Sequence, residues 1–361
     1  MKAVVLLGGE GTRLRPLTYT TPKQLLPVAE VPMLERVLTH LGHHGVDEAV
    51  LSLGYRPDAF LAAYPDGEVG GVRLTYAVEP EPLDTGGAIG FAARHGAIDE
   101  TFLVVNGDVL TDLDTSRLVA FHGARGAAAT IHLTPVSDPS RFGVVPTDED
   151  GRVLAFVEKP TGMPPTNLIN AGTYVLEPDV LVRLPAGRPM SVERETFPAL
   201  AAAGLLYACA TDDYWLDTGT PAAYLQANAD VLDGTRPGVP VPGARCVTDG
   251  VWVRGEPRLA GTVEPSSLVC DDVNVAPGAV VIASVLGAQS TVLQGAHVEG
   301  SVLLPGAKVE RDARVTASIL GYRSVVGEGA SLSATTVVGD DAVVPAGARL
   351  DGVRLPAEVA S

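Results

Sequence analysis

The stretch Leu320-Gly-Tyr-Arg-Ser-Val-Val326-Gly-Glu-Gly-Ala-Ser-Leu332-Ser-Ala-Thr-Thr-Val-Val338-Gly-Asp-Asp-Ala-Val-Val344-Pro-Ala-Gly-Ala-Arg-Leu350 sets an aliphatic residue at every sixth position. The residue after each is small, turn-forming or acidic: Gly321, Gly327, Ser333, Gly339, Pro345 and Asp351. Helices repeat at about 3.6 residues and strands at about two, so neither element produces this spacing. It is the signature of a hexapeptide parallel β-helix, in which each turn stacks its aliphatics inward. Upstream, Leu286, Val292, Val298 and Leu304 keep the interval, and the solenoid is expected over residues 251–361. A solenoid exposes one long surface and an end coil, so self-association or regulation is an expected use, and a homo-oligomer the expected state.

Moving toward the N-terminus, Asp233-Gly-Thr-Arg-Pro-Gly-Val-Pro-Val-Pro-Gly243 is a linker by composition, and the linker is assigned to residues 234–250. Before it, over residues 1–233, short β-branched runs alternate with amphipathic helical stretches. The strands expected are Lys2–Leu7, Glu48–Leu53, Val72–Val78, Thr101–Val105, Ala129–Thr134 and Gly172–Leu176. Helical patterns cover Pro32–His43, Gly86–His95, Thr115–Gly123, Ser191–Ala203 and Thr220–Leu232. This alternation predicts a largely parallel sheet covered on both faces, with ligands beyond the carboxyl ends of its strands.

The chain of 361 residues, 46% hydrophobic, has ample core for two domains. Its net charge of −17 argues against nucleic-acid and anionic-membrane partners. The opening apolar run ends at Gly8-Gly9, too short for a signal core or a membrane span. Cys209, Cys246 and Cys270 form no CxxC pair, so neither zinc nor a disulfide framework is expected, and a reducing cytoplasm is. Only four lysines occur, Lys2, Lys23, Lys159 and Lys308, and two of them fall inside motifs.

The first of those motifs is Leu7-Gly8-Gly9-Glu10-Gly11-Thr12-Arg13-Leu14-Arg15-Pro16-Leu17-Thr18, followed by Pro22-Lys23. A glycine-rich turn straight after a strand lets backbone N–H groups approach phosphate oxygens without a Cβ in the way. It is not a Walker loop, and the third glycine of the dinucleotide fingerprint is missing. Arg13, Arg15 and Lys23 in one loop suit a triphosphate about to be cleaved.

The motif GGEGTRLRPLT…PK resembles the signature of the sugar-1-phosphate nucleotidyltransferases, and five further segments resemble theirs in the expected order. Glu79-Pro-Glu-Pro-Leu-Asp-Thr-Gly-Gly-Ala88 is similar to the base-binding loop, Val105-Asn106-Gly107-Asp108 to the metal motif, and Phe156-Val157-Glu158-Lys159-Pro160 to the sugar-phosphate motif. Asn170-Ala171-Gly172 and Tyr214-Trp215-Leu216-Asp217-Thr218-Gly219 complete the set. With Arg188–Glu193 and the hexapeptide tail, the combination is most similar to the mannose-1-phosphate guanylyltransferases. The resemblance implies a Rossmann-like, mostly parallel α/β domain followed by a left-handed parallel β-helix.

It also implies roles for individual residues. Leu7, Gly8, Gly9, Gly11, Thr12, Arg13, Glu79, Asp84, Thr85 and Gly86 would bind the nucleotide, with Arg13 and Lys23 on the reacting phosphates. Gly143, Glu158, Lys159 and Asn170 would bind the sugar phosphate, and Asp108 and Asp217 would hold Mg²⁺. Glu193 is either a further sugar contact or a carboxylate at a helix start. His297 is a coil-surface residue rather than an acyltransfer base.

Two hydrogen bonds to one carboxylate suit the N1–H and amine of guanine, so Glu79 points to GTP. Asp84 stands where most relatives carry glycine, and Pro22-Lys23-Gln24-Leu25-Leu26-Pro27 also resembles glucose-1-phosphate thymidylyltransferases, which keeps dTTP as an alternative. The expected reaction joins a sugar 1-phosphate, mannose 1-phosphate by default, to GTP and releases pyrophosphate. A guanylyltransferase for another sugar-like 1-phosphate and a regulatory subunit that senses nucleotide sugar are the other readings.

Overall fold

The computed structural model describes residues 1–185, 187–248 and 250–357. They form two compact units that do not follow chain order: Met1–Gly9 with Leu34–Trp215, and Glu10–Met33 with Leu216–Ser361.

The first unit is built on a mixed sheet. Strands Val72–Val78, Glu48–Leu53, Lys2–Leu6 and Phe102–Asn106 lie side by side and parallel, in that order. Val4 and Val5 of Lys2–Leu6 are fully buried in succession, as expected where helices cover both faces of a sheet. Leu168–Leu176 runs antiparallel to Phe102–Asn106 on one side and to Ala129–Pro135 on the other, and Leu206–Ala210 runs parallel to the latter. The sheet is therefore less uniformly parallel than the β–α alternation suggests. Leu168–Leu176 reads as one more aliphatic run, and nothing local to it encodes its direction. Its centre is broken by a register shift between Asn170 and Tyr174. The aromatic part of the core is fully buried, with Tyr174 and Phe197 edge to face at 5.0 Å.

Helices Met33–His43, Asp84–His95 and Thr115–Arg125 occupy the expected places. Asp114 caps the last of these by accepting from the Arg117 N–H. The helix expected over Ser191–Ala203 instead opens with a π-turn at Val192–Thr196 and becomes α-helical only at Phe197–Ala202. Pro198 is the physical reason: it has no N–H for an i−4 bond in the middle of that segment.

The second unit contains three sheets of eight, six and six strands, parallel except at one edge of the largest, in the arrangement of a left-handed parallel β-helix. Successive coils register Val275, Val292, Val309, Val326 and Val344 above one another, and all five are fully buried. These positions are spaced by 17 residues, then by 18 at the last coil. Upstream of Leu320 each coil is thus one residue short of three hexapeptides, and the inward residue is Leu303 rather than Leu304. Corners are turned by residues in the left-handed region, among them Asp272, Gln289, Gly306, Arg323 and Asp341 in one column. Another column is a hydroxyl ladder: Ser267, Ser284 and Ser301 each accept from the N–H of the serine one coil on, at 3.4, 3.1 and 3.1 Å. Within the expected linker, Arg245–Thr248 forms a strand antiparallel to Val251–Val253 at the edge of the eight-stranded sheet.

The same unit holds the segment Glu10–Met33, tied down by solenoid and helix residues. Tyr224 of helix Pro221–Leu232 donates to the Pro27 carbonyl, and Asn228 accepts from the Ala29 N–H at 2.7 Å. The buried Glu30 carboxylate accepts from the Ala288 N–H and lies 3.6 Å from the Arg254 guanidinium. Burial pushes its pKa up, against the opposing pull of the Ala288 N–H and Arg254. Thr20 donates to Asp340, and Arg354 donates to the Arg15 carbonyl at 3.0 Å.

Candidate active site

Within the first unit the motif residues gather at strand ends. Glu79 follows Val72–Val78, and its carboxylate accepts from Ser52 Oγ at 2.9 Å and from the Leu83 N–H at 3.1 Å. One bond reaches each oxygen, so the plane of the group is fixed while each oxygen keeps a further acceptor direction. Gly8 lies beside it: a Cβ there would stand 3.5 Å from Glu79 Oε1. Asp84 adopts φ 54°, the left-handed conformation that favours glycine, and binds the Thr85 N–H with its own carboxylate at 2.7 Å. Aspartate tolerates that region better than most residues, so the departure from glycine leaves the backbone path intact.

Thr85 and Gly86 are held by the segment around Met190 and Glu193. Thr85 Oγ1 donates to Glu193 and accepts from the Val192 N–H, while the Gly86 N–H donates to the Met190 carbonyl at 2.7 Å. The glycines of this helix serve close packing, since a Cβ on Gly87 would meet the Arg188 carbonyl at 2.6 Å and one on Gly90 the Leu184 carbonyl at 2.4 Å. Glu193 also accepts from Ser191 Oγ at 2.7 Å, so its carboxylate orders the turn that leads into the π-helical segment.

Asp108 sits in the turn between Phe102–Asn106 and Val109–Thr111. Gly107 lets that turn lie against Leu7, whose side chain would be 2.2 Å from an added Cβ. The bulge at Asn170-Ala171-Gly172 closes on the same strand end. Gly172, at φ 79°, leaves room for the Asn106 amide, and the Ala171 carbonyl accepts from Trp215 Nε1 at 2.8 Å. Asn170 donates to the Tyr174 hydroxyl and accepts from the Gly172 N–H, so it shapes the bulge that presents it.

Gly143 pairs with Glu158 across an antiparallel ladder, and a Cβ on it would strike the Phe156 ring at 2.7 Å and crowd the Glu158 carboxylate at 3.0 Å. Lys159 pairs with Glu158 at 3.3 Å and stays largely exposed. Its φ of 47° is unusual for a lysine and costs about 1–2 kcal/mol. Strain held at a motif residue is a pointer to a working group.

Within the second unit, Gly11 turns the signature loop at φ 65°, and its carbonyl accepts from Thr18 Oγ1 at 2.9 Å. A Cβ on Gly11 would stand 3.1 Å from Lys23 Cβ, so the glycine lets the lysine stem lie against the turn. Arg13 rests on Gly219, where an added Cβ would stand 2.5 Å from Arg13 Nη2 and 2.9 Å from Asp217 Oδ1. Asp217 in turn accepts from the Gly219 N–H at 2.8 Å. Gly219, quoted in the sequence only as the last residue of its motif, is where the Arg13 guanidinium rests, a proximity no local pattern shows. Gln24 is 1% exposed and takes part in packing. His297 pairs with Glu299 on the coil surface at 3.2 Å.

A family model described as nucleotidyl transferase matches residues 2–234. The chain belongs to the nucleotidyl transferase family. A second model, the GMPPB C-terminal domain, matches residues 263–357 of this nucleotidyl transferase. It is 41% identical over 312 residues to a mannose-1-phosphate guanylyltransferase of Mycobacterium tuberculosis, a match spanning 85% of this chain and 81% of the relative. It is 38% identical to mannose-1-phosphate guanylyltransferase 1 of Arabidopsis thaliana, over 83% of each chain. Among solved structures it resembles HddC from Yersinia pseudotuberculosis complexed with GMP-PN, at 30% identity and a TM-score of 0.54, over 63% of this chain and 97% of that one. The nucleotidyl transferase is accordingly an enzyme. Among its described residues no helix is long and apolar enough to cross a membrane, and no three His, Cys, Asp or Glu side chains converge as a metal cage.

Proposed function

We propose that the protein transfers GMP from GTP to mannose 1-phosphate, giving GDP-mannose and pyrophosphate. The observation that carries the base assignment is the Glu79 carboxylate, held by Ser52 and the Leu83 N–H beside the bare Gly8 backbone. Guanine's adjacent N1–H and amine match its two remaining acceptor directions, while thymine offers one donor between two carbonyls. The similarity to mannose-1-phosphate guanylyltransferases supports both base and sugar.

The sugar phosphate oxygen attacks the α-phosphorus in line, and pyrophosphate leaves with the bond electrons. A phosphate monoester has its second pKa near ~6, so the nucleophile is ionised at neutral pH without a general base. What remains is alignment of two polyanions and neutralisation of charge on the leaving group. Arg13, Lys23 and the N–H groups of the loop hold the triphosphate, and Lys159, paired with Glu158 and reaching solvent, takes the sugar phosphate. Glu158 and Asn170 meet sugar hydroxyls.

Asp108 and Asp217 are the proposed Mg²⁺ ligands. The motif resemblance supports this, since Mg²⁺ takes one or two carboxylates and completes its shell with water and substrate phosphate. When bound, the ion offsets phosphate charge. A homo-oligomer assembled through the solenoid belongs to the same proposal and is read by light scattering on the purified chain.

The deciding assay crosses GTP, dTTP, ATP, UTP and CTP with mannose 1-phosphate and glucose 1-phosphate and reads pyrophosphate release with Mg²⁺. Release with GTP and mannose 1-phosphate well above all other pairs is expected. Preference for dTTP with glucose 1-phosphate overturns the base assignment, and no release with any pair overturns the activity.

A further inference from the structure

Beside the signature loop, wholly within the second unit, is a cavity of about 260 Å³ lined by Thr12, Arg13, Arg15, Tyr19, Arg354 and two prolines, Pro16 and Pro356. Three arginines line this small space, and among its described lining residues none is acidic. In a chain with 26 basic against 43 acidic residues, such a concentration of cations is opposed to the average field of the protein. Arg15 lies over the Tyr19 ring at 5.4 Å and is paired at its outer side with the exposed Glu10.

Arg354 comes from a place the reaction does not require. It belongs to the short strand Arg354–Leu355, the last of the eight-stranded solenoid sheet, some 340 residues along the chain from the loop it serves. One of its nitrogens donates to the Arg15 carbonyl at 3.0 Å. The same end of the solenoid holds the loop at two further points: Thr20 donates to Asp340, and Gly339 leaves just enough room for the Pro16 ring, 3.0 Å from where a Cβ would lie. The Asp340 carboxylate is itself set by the Tyr322 N–H at 2.9 Å.

We infer that the last coil of the β-helix completes a pyrophosphate subsite beside the signature loop, with Arg354 as a third arginine beside Arg13 and Arg15. This rests on the nucleotidyl transfer reading of the loop. Guanidinium forks match phosphate oxygens in pairs, so three of them around one cavity select a diphosphate over a monoanion. Arg354 both positions the loop through the Arg15 carbonyl and presents positive charge to the leaving group. The solenoid is thereby part of the pyrophosphate subsite.

The test uses the full-length protein and Arg354→Gln, with Arg354→Lys as the conservative variant and Arg349→Gln as a control for charge loss elsewhere on the solenoid. Inorganic pyrophosphate binding is measured by calorimetry, and KM values for pyrophosphate, nucleoside triphosphate and sugar 1-phosphate are measured in both directions. Expected is a rise of tenfold or more in the Kd and KM for pyrophosphate with Arg354→Gln, partial recovery with Lys, an unchanged KM for sugar 1-phosphate and an unchanged Arg349→Gln. Equal pyrophosphate affinity in wild type and Arg354→Gln overturns the inference, even if turnover falls. Direct pyrophosphate binding separates the two readings. A wild type inactive with GTP whose pyrophosphate affinity still drops on Arg354→Gln sinks the proposed substrates and leaves the pocket standing.

Discussion

The two units of this chain solve the same problem, burying aliphatic surface, with opposite use of sequence. In the α/β unit the core draws Val4, Val50, Val104, Ile131 and Tyr174 from strands far apart in the chain, and large aromatics fill it. In the solenoid the core is nearly all valine, leucine and alanine, and each side chain rests on its equivalent 17 or 18 residues away. The first core is specified by shape and the second by repetition. From Glu10 onward the signature loop falls on the side of repetition: it lies early in the chain but belongs to the compact unit that contains the solenoid.

The comparison can be broken by asking whether the units unfold separately. The chain's two tryptophans, Trp215 and Trp252, lie one in each unit and serve as separate probes in single-tryptophan backgrounds. Phe197→Ala, which removes a ring against Tyr174 and Phe156, is expected to cost about 3–5 kcal/mol and to move the urea midpoint of the Trp215 signal alone. Leu320→Ala in the solenoid core should cost about 2–5 kcal/mol and move the Trp252 signal alone. Coincident shifts of both probes would mean one cooperative structure.

Arg13→Ala sharpens the functional side. Removing one preorganised electrostatic donor typically costs about 10²–10³ in turnover, and that loss is expected here with the urea midpoints unmoved. A drop below tenfold in steady-state kinetics removes Arg13 from the chemistry. Gly219→Ala should follow it at roughly 10²-fold, because the new methyl displaces the guanidinium from its seat.

Acid should strike the α/β unit at His132, which is buried and bonded through Nε2 to Thr211. Burial holds its pKa down to about 4, so the neutral ring is favoured in the fold. A histidine with a lowered folded pKa contributes its full stability above the ordinary value of 6.5 and loses it as pH falls toward 4. The loss is about 3 kcal/mol. His132→Gln should flatten the fall of the Trp215 urea midpoint between those pH values; an unchanged slope would assign acid lability elsewhere.

The smallest effects are local. Ser301→Ala removes a hydroxyl that donates to the Glu299 carbonyl and accepts from the Ser318 N–H, at a cost of about 1 kcal/mol on the Trp252 signal. Asp84→Gly relieves a left-handed aspartate and should stabilise by less than about 1 kcal/mol, with GTP preference retained if Glu79 alone reads the base.

The hexapeptide period, the β–α alternation and the six motifs were all legible in the residues, because each is a local rule: stacking distance, strand and helix spacing, a glycine turn beside cations. The spacing of Leu286 to Leu304 misled by one residue, since coils of 17 and 18 residues bury the same interior and differ only at a corner. The direction of Leu168–Leu176 and the capture of the Gly86 N–H by Met190 were invisible, being set by partners distant in sequence. The sequence alone determined the order of the motifs and that a solenoid follows. Tertiary structure decided what seats their residues: Gly219 makes the place for Arg13, and Arg354 reaches the loop from the last coil. A hydrogen bond across some 340 residues leaves no periodic trace in the chain, because loop closure brings together groups that no local pattern relates.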